Sequence, residues 1–344
     1  MKLSGKCEFA LILACAAMLL LASGLSVAAQ QETSVWLAPP AGPSATHTTD
    51  YRWCDVADNL YSELYRKTYE YSQDLVQVTF YEAYPFFHGT LTASKLKPNF
   101  AYQLKLVGKP DEPACAGANE KIGLAGRWWQ EQWDGNAWVG GQNLNYKGDG
   151  SSPNTNDGIY FATRDTPSSS PTGKLYRYTG YLVFDYFITD SNGNAQLNFE
   201  ARSSYHVLFK TSQQTKTPQD GPLKERTFQP TSSDLGYDRD YLQSTTSIFG
   251  EWERLPAGGV FLQPGEYTCK VVLTEESFHG SGGEYAGNWA GALEGEISFT
   301  IEEIPTLPIP AIPMGPIAAF ASMILGLIVT FAFSIRKTRY IPAE

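Results

Sequence analysis

Ala101-Tyr102-Gln103-Leu104-Lys105-Leu106-Val107 alternates apolar and polar side chains, a period of two that places the apolar set on one face of a β-strand. Gln77-Val78-Thr79-Phe80-Tyr81 and Gly89-Thr90-Leu91-Thr92-Ala93 repeat the pattern upstream, so three successive strands are expected. Downstream, Gly180 to Ile188 and Ala195 to Phe209 read as two long strands around Thr189-Asp190-Ser191-Asn192-Gly193-Asn194. There the Asn-Gly pair supplies the positive φ of a tight hairpin. Gly265 to Leu273 and Glu294 to Ile301 add two more strands. With 20 Tyr, 8 Trp and only short apolar runs between the termini, the chain has a β composition and reads as all-β. The exception is Asp55 to Tyr71. Leu60, Tyr61, Leu64 and Tyr65 sit at helical spacing after an Asp58 cap, and a short helix is expected there.

The two ends carry a different physics. Lys2 and Lys6 precede an apolar run from Phe9 to Ala22, and Val27, Ala28 and Ala29 follow, the order of a secretory signal peptide over residues 1–29. Ile317 to Ile335 is uncharged, and its 19 residues at the helical rise are just long enough to cross a hydrocarbon core of about 30 Å. Arg336, Lys337 and Arg339 follow at once, so the positive-inside rule keeps residues 336–344 in the cytoplasm. Residues 30–303 then form an extracellular ectodomain of a single-pass type I protein in the cell membrane. Residues 304–316, Ile-Pro-Thr-Leu-Pro-Ile-Pro-Ala-Ile-Pro-Met-Gly-Pro, favour an extended polyproline stalk. This end resembles the C-terminal sorting tails of archaeal and bacterial surface proteins, which exosortase- or archaeosortase-type enzymes recognise. Ile304-Pro305-Thr306-Leu307 is similar to the motifs of such tails. The resemblance covers about forty residues, and here Tyr340 to Glu344 follow the basic cluster. Cleavage by a sorting enzyme and permanent anchoring both stay open.

Five of the 26 basic and two of the 36 acidic residues lie in the two ends, which leaves 21 Lys plus Arg against 34 Asp plus Glu, a charge of about −13. That sign repels phosphate backbones and excludes nucleic acid as a partner. Cys54, Cys115 and Cys269 are the cysteines outside the signal peptide. In an oxidising exterior they allow one bridge, with Cys54 to Cys115 the expected pair, or three free thiols.

Two places resemble the immunoglobulin and fibronectin type III sandwich. Leu96-Lys97-Pro98-Asn99-Phe100-Ala101-Tyr102 and Leu262-Gln263-Pro264-Gly265-Glu266-Tyr267 each have a Leu, a Pro two residues on, and a Tyr opening an apolar strand. This is similar to a tyrosine corner, whose phenol bonds the preceding turn while its ring covers the core edge. The first copy carries one extra residue before its Tyr. The resemblance implies an immunoglobulin-like β-sandwich, either one elaborated unit or two modules divided near residue 165.

Chemistry-bearing motifs are scarce. The four His fall at 47, 88, 206 and 279, and neither a Gly-x-Ser-x-Gly elbow nor a His-Glu-x-x-His helix occurs, so neither an enzyme nor a cofactor is expected. His206, Glu276 and His279 are the candidate metal set, because imidazole and carboxylate together suit zinc. Asp190-x-Asn192-x-Asn194 opens like a calcium loop, but Ala195 and Ala201 stand where that loop needs Gly and Glu, and a plain turn is favoured. Trp128, Trp129, Trp133 and Trp138, among Gly, Asn and Gln, are the candidate ligand platform, since indoles stack on sugar faces. Core packing uses the same residues. The expected function is a structural or adhesive role in the cell envelope, with an envelope glycan or another surface protein as partner. The alternative is an extracellular carbohydrate-binding module.

Overall fold

Strands form where the period of two dominates, and in the computed structural model they make up most of the described chain. The structure describes residues 31–40, 53–57, 59–144, 155–201, 205–210, 224–228, 237, 246–252, 262–275 and 290–303. Residues 1–30 and 304–344, which carry the expected signal peptide, stalk and spanning helix, lie outside them. Among the described residues, no helix is long and apolar enough to cross a membrane.

A four-stranded antiparallel sheet takes β1 (Glu32–Trp36), β2 (Val76–Tyr81), β4 (His88–Ala93) and β9 (Ala195–Glu200), in that order. A seven-stranded sheet has the order β3 (Ala83–Tyr84), β14 (Ala290–Ile301), β13 (Gly265–Glu275), β5 (Ala101–Val107), β8 (Tyr176–Ile188), β6 (Arg127–Trp133) and β7 (Trp138–Leu144). A third sheet orders β10 (Tyr205–Lys210), β12 (Thr246–Trp252) and β11 (Lys224–Phe228), and β10 approaches β8. Strands from both sides of residue 165 share the large sheet, within one compact unit that ends at Glu302.

The two larger sheets enclose one core. β2 contributes Val76, Val78 and Phe80, β9 contributes Leu197 and Phe199, and β13 and β14 answer with Tyr267, Cys269, Val271, Ile297, Phe299 and Ile301. Phe87 sits between the sheets, with ring centroids 5.3 Å from Phe199, 5.7 Å from Phe184 and 4.5 Å from Phe299. β5 departs from the one-faced pattern. Its outer residues Gln103 and Lys105 are buried too, because β5 is central in its sheet and Val56, Val183 and Tyr186 form a second cluster with Ala101.

Both corner tyrosines bond the turns before their strands. Tyr267 donates to the Gln263 carbonyl at 2.7 Å, and the Tyr102 hydroxyl accepts from the Lys97 amide at 3.1 Å. Gln263 and Lys97 occupy the same place after the motif Leu, so the extra residue of the first copy is absorbed without losing the bond.

Three expectations change. The turn at Asp190 is tight, with Gly193 at φ 75° and the Asp190 carboxylate accepting from the Asn192 and Asn194 amides at 2.8 Å each. It does not make a hairpin, because β8 lies in the large sheet and β9 pairs with β4 in the small one. The turn carries the chain across the core. The expected strand from Ala195 to Phe209 is divided into β9, which pairs with β4 in the small sheet, and β10, which pairs with β12 in the third. The helix near Tyr65 is α1 (Glu63–Thr68), capped by Ser62, whose side chain accepts from the Tyr65 amide at 3.2 Å; Asp58 lies outside the described residues. Leu60 and Tyr61 precede it, and Leu64 is exposed.

The core holds two polar networks. Lys97 and Glu275, each 1% exposed, meet at 2.7 Å. The Lys97 ammonium lies 4.2 Å from the Trp53 ring centre, and Tyr71 donates to Glu275 at 2.7 Å while bonding the Tyr102 hydroxyl at 3.0 Å. Nearby, the buried Asp55 carboxylate accepts from the amides of Ala57 and Asn59, from the Asn59 side chain, and from the Tyr237 hydroxyl at 2.9 Å. Burial outweighs these bonds and raises the Asp55 pKa above the ordinary value of 3.8.

Breaking the ion pair should cost more than erasing it, because a lone buried charge has no compensation. Lys97→Met or Glu275→Leu alone should lower unfolding free energy by about 3–5 kcal/mol in urea titrations, and the double substitution should recover most of that loss. Asp55 favours its protonated form more in the folded chain than in the unfolded chain. Its stabilising contribution is therefore complete below pH 3.8 and declines as pH rises through the raised folded value. The stability advantage of the native chain over Asp55→Asn should accordingly be larger at pH 3.5 than at pH 7, read from paired urea midpoints.

Candidate functional site

The large sheet projects beyond the sandwich at one corner. β5 pairs with β8 only as far as Tyr181 and the Gly108 amide still reaches the Gly180 carbonyl, so Tyr176 to Thr179 pair with β6 alone. Two helices that hydrophobic periodicity does not announce cover this projection: α2 (Ala116–Ala125) and α3 (Thr155–Thr163). α2 follows a short 3-10 turn opened by Pro113 and stops at Gly126. It lies against β8 through small residues, since a Cβ on Gly180 would stand 2.2 Å from the Asn119 carbonyl. The Asn119 side chain locks the contact, donating to the Tyr178 carbonyl at 2.8 Å and accepting from the Gly180 amide at 2.6 Å.

Trp128 is the centre of a satellite core here, fully buried and stacked on Tyr160 at 3.8 Å and 10°. Its indole Nε1 donates to Asp157 at 3.0 Å. Tyr178 meets Tyr160 edge-on, and its hydroxyl bonds Gln130 and Thr163. Burial raises the phenol pKa of both tyrosines, so they stay neutral hydrogen-bonding groups.

Beside this core lies a pocket of about 350 Å³ between α2, α3 and the start of β8. Tyr160, Tyr176 and Tyr178 supply its aromatic wall. Arg164, Lys174 and Arg177 face Asp111, Glu120 and Asp165 around it, three cations against three carboxylates. Each cation is paired: Arg164 with Glu120 at 2.8 Å, Lys174 with Asp165 at 2.9 Å, and Arg177 with Asp111 at 2.9 Å and Glu131 at 2.7 Å. The Lys174 hydrogen bond holds the Asp165 carboxyl below the usual carboxylate range. Lys174 is positioned by the turn before β8, where the Ser170 hydroxyl accepts from its amide at 3.0 Å and donates to its carbonyl at 2.6 Å.

The four tryptophans do not form one platform. Trp128 is inside the satellite core and is removed from the candidate set, because strand alternation turns it away from Trp129. Trp129, Trp133 and Trp138 are half-buried. Trp133 and Trp138 meet edge to face at 5.4 Å, and the Arg177 guanidinium lies 5.0 Å over Trp138.

His206 lies on β10, while Glu276 and His279 fall outside the described residues. Among the described residues no group of three His, Cys, Asp or Glu side chains could hold a metal ion. The expected Cys54 to Cys115 bridge is not formed, and no disulfide joins the described cysteines Cys54, Cys115 and Cys269. The reason is distance along β5. The Cys54 segment bonds Asn99 just before that strand through Val56, whereas Cys115 follows its far end. Seven residues of strand separate the two ends by roughly 20 Å, against the 7 Å limit for bridged Cα atoms.

No family model matches the chain, and neither a curated protein nor a solved structure matches it. The site is therefore read from its own geometry.

Trp128→Ala should lower unfolding free energy by about 3–5 kcal/mol, the cost of emptying a large aromatic site, whereas Trp138→Ala at the half-buried edge should cost well under half as much. Urea unfolding of the two variants checks this. In native buffer the buried Cys115 and Cys269 should resist a thiol reagent that Cys54 accepts, and all three should react after unfolding.

Proposed function

We propose that this chain is an exported, membrane-anchored cell-surface protein, with an immunoglobulin-like sandwich playing a structural or adhesive role in the cell envelope. The paired tyrosine corners support the immunoglobulin-like reading, since each phenol bonds the turn ahead of its strand. The apolar segments at residues 9–22 and 317–335, with the basic residues that follow the second, support export and anchoring.

The observation that carries an adhesive role is how the last strand is held. β14 pairs with β13 from Ala290 to Ile301 at eleven positions, then leaves for residues 304–316. Antiparallel hydrogen bonds lie perpendicular to the strands, so tension applied along β14 from its C-terminal end shears many bonds together instead of opening them one at a time. A fold gripped this way suits a contact module that holds while its anchor is pulled. The acidic charge keeps such a surface soluble and selects against nucleic acid.

Protease treatment of intact cells, followed by mass spectrometry, tests the topology. The sandwich peptides should be released, and a C-terminal fragment containing Ile317 to Ile335 should stay with the membrane. Protection of the sandwich peptides would end the surface reading.

A further inference from the structure

We propose that the pocket between α2, α3 and the start of β8 binds a neutral, hydroxyl-rich ligand, one or two pyranose units of a glycan. This inference names a ligand class for a site on the large sheet and does not depend on where the protein is anchored.

Charge decides first. The pocket balances Arg164, Lys174 and Arg177 against Asp111, Glu120 and Asp165, and every cation is already paired with a carboxylate at 2.9 Å or less. A phosphate or carboxylate ligand would have to displace one of these carboxylates, and a metal ion would have to displace a cation. A wholly apolar ligand would strip water from six charged groups without returning a hydrogen bond. A neutral polyol avoids all three penalties, because each hydroxyl both donates and accepts. The paired carboxylates keep free lone pairs for its donors, and the guanidinium and ammonium groups keep free N–H bonds for its acceptors.

Shape and apolar surface agree. Tyr160 and Tyr178 stand perpendicular, 5.1 Å apart, and half-buried Tyr176 extends the wall they form. A pyranose has one face of C–H groups that packs against such rings while its hydroxyls point to the charged rim. About 350 Å³ lies at the lower end of the small-molecule range, which suits a terminal residue or a disaccharide rather than a long chain segment. Asn119 also lines the pocket, but its amide is already bonded at both ends to β8 and adds rigidity rather than a ligand contact.

The full chain, purified in an amine-oxide detergent that carries no sugar headgroup, tests this without reference to topology. Saturation-transfer NMR and calorimetry are run with maltotriose, mannotriose, galactobiose and N,N′-diacetylchitobiose, and with methyl glucuronide and glucose 6-phosphate as anionic probes. At least one neutral saccharide should bind with a dissociation constant of about 1 mM or tighter. Tyr176→Ala should weaken it at least tenfold, Tyr176→Phe should retain it, and Trp36→Ala, exposed on β1 outside the pocket, should leave it unchanged. Tyr176 packs against the rim of the Trp128–Tyr160 cluster, so Tyr176→Ala lowers the unfolding midpoint somewhat, and a cooperative transition that starts above the assay temperature shows that the variant is folded where binding is read. Binding by none of the neutral saccharides, tighter binding of either anion, or loss on Trp36→Ala with none on Tyr176→Ala each overturns the proposal.

Discussion

The ammonium of Lys97 and the carboxylate of Glu275 face each other across the core, both almost wholly shielded from water. Neither can leave the other without stranding a buried charge, so the turn before β5 and the end of β13 are held at one separation. The register of the large sheet agrees with this constraint, since Tyr102 stands opposite Glu275 where β5 pairs with β13. Tyr71 then reaches Glu275 and Tyr102 together, and the Tyr102 hydroxyl closes back on the Lys97 amide. One ion pair thereby ties a turn, two strands and the tyrosines around α1 into a single unit. Burial also holds the Tyr71 and Tyr102 phenols far above their ordinary pKa, so these two hydroxyls stay protonated across physiological pH.

Once that end of the sheet is fixed, the opposite end is free to carry a site. β8 outruns β5 by five residues, and the exposed corner needs a cover. α2 and α3 provide it, with Trp128 and Tyr160 stacked beneath and the paired charges arranged above. The charges at this corner are more exposed than Lys97 and Glu275 and contribute less to stability. Their positions, set by the Ser170 turn and the Asn119 clamp, matter for what they present to a ligand.

Much of the sandwich was legible in alternation. β2, β4, β5, β13 and β14 stand where the period of two places them, and the Leu-x-Pro…Tyr pattern marked both corners. The helices over the pocket were not legible. α2 and α3 are short, with Gly117, Gly123 and Gly158 interrupting any apolar stripe, and they are stabilised by tertiary contact with β8 and β6 rather than by local pattern. The pocket residues were equally silent. Tyr176-Arg177-Tyr178 lies ahead of the strand that alternation places from Gly180, and only the fold brings Asp111, Glu120 and Arg164 to it from three separate segments.

By itself the sequence determined the all-β class, the places of β2, β4, β5, β13 and β14, the acidic charge and the apolar character of both ends, because each follows from local periodicity or composition. Tertiary structure alone decided which sheet each strand joins, that the Asp190 turn crosses the core, that Cys54 and Cys115 stand apart, and that Trp128 is buried while Trp133 and Trp138 are partly open. A turn motif fixes backbone angles over a few residues and carries no information about the partner of the strand that follows. That partner is set by which apolar faces close together, a property of the packed chain.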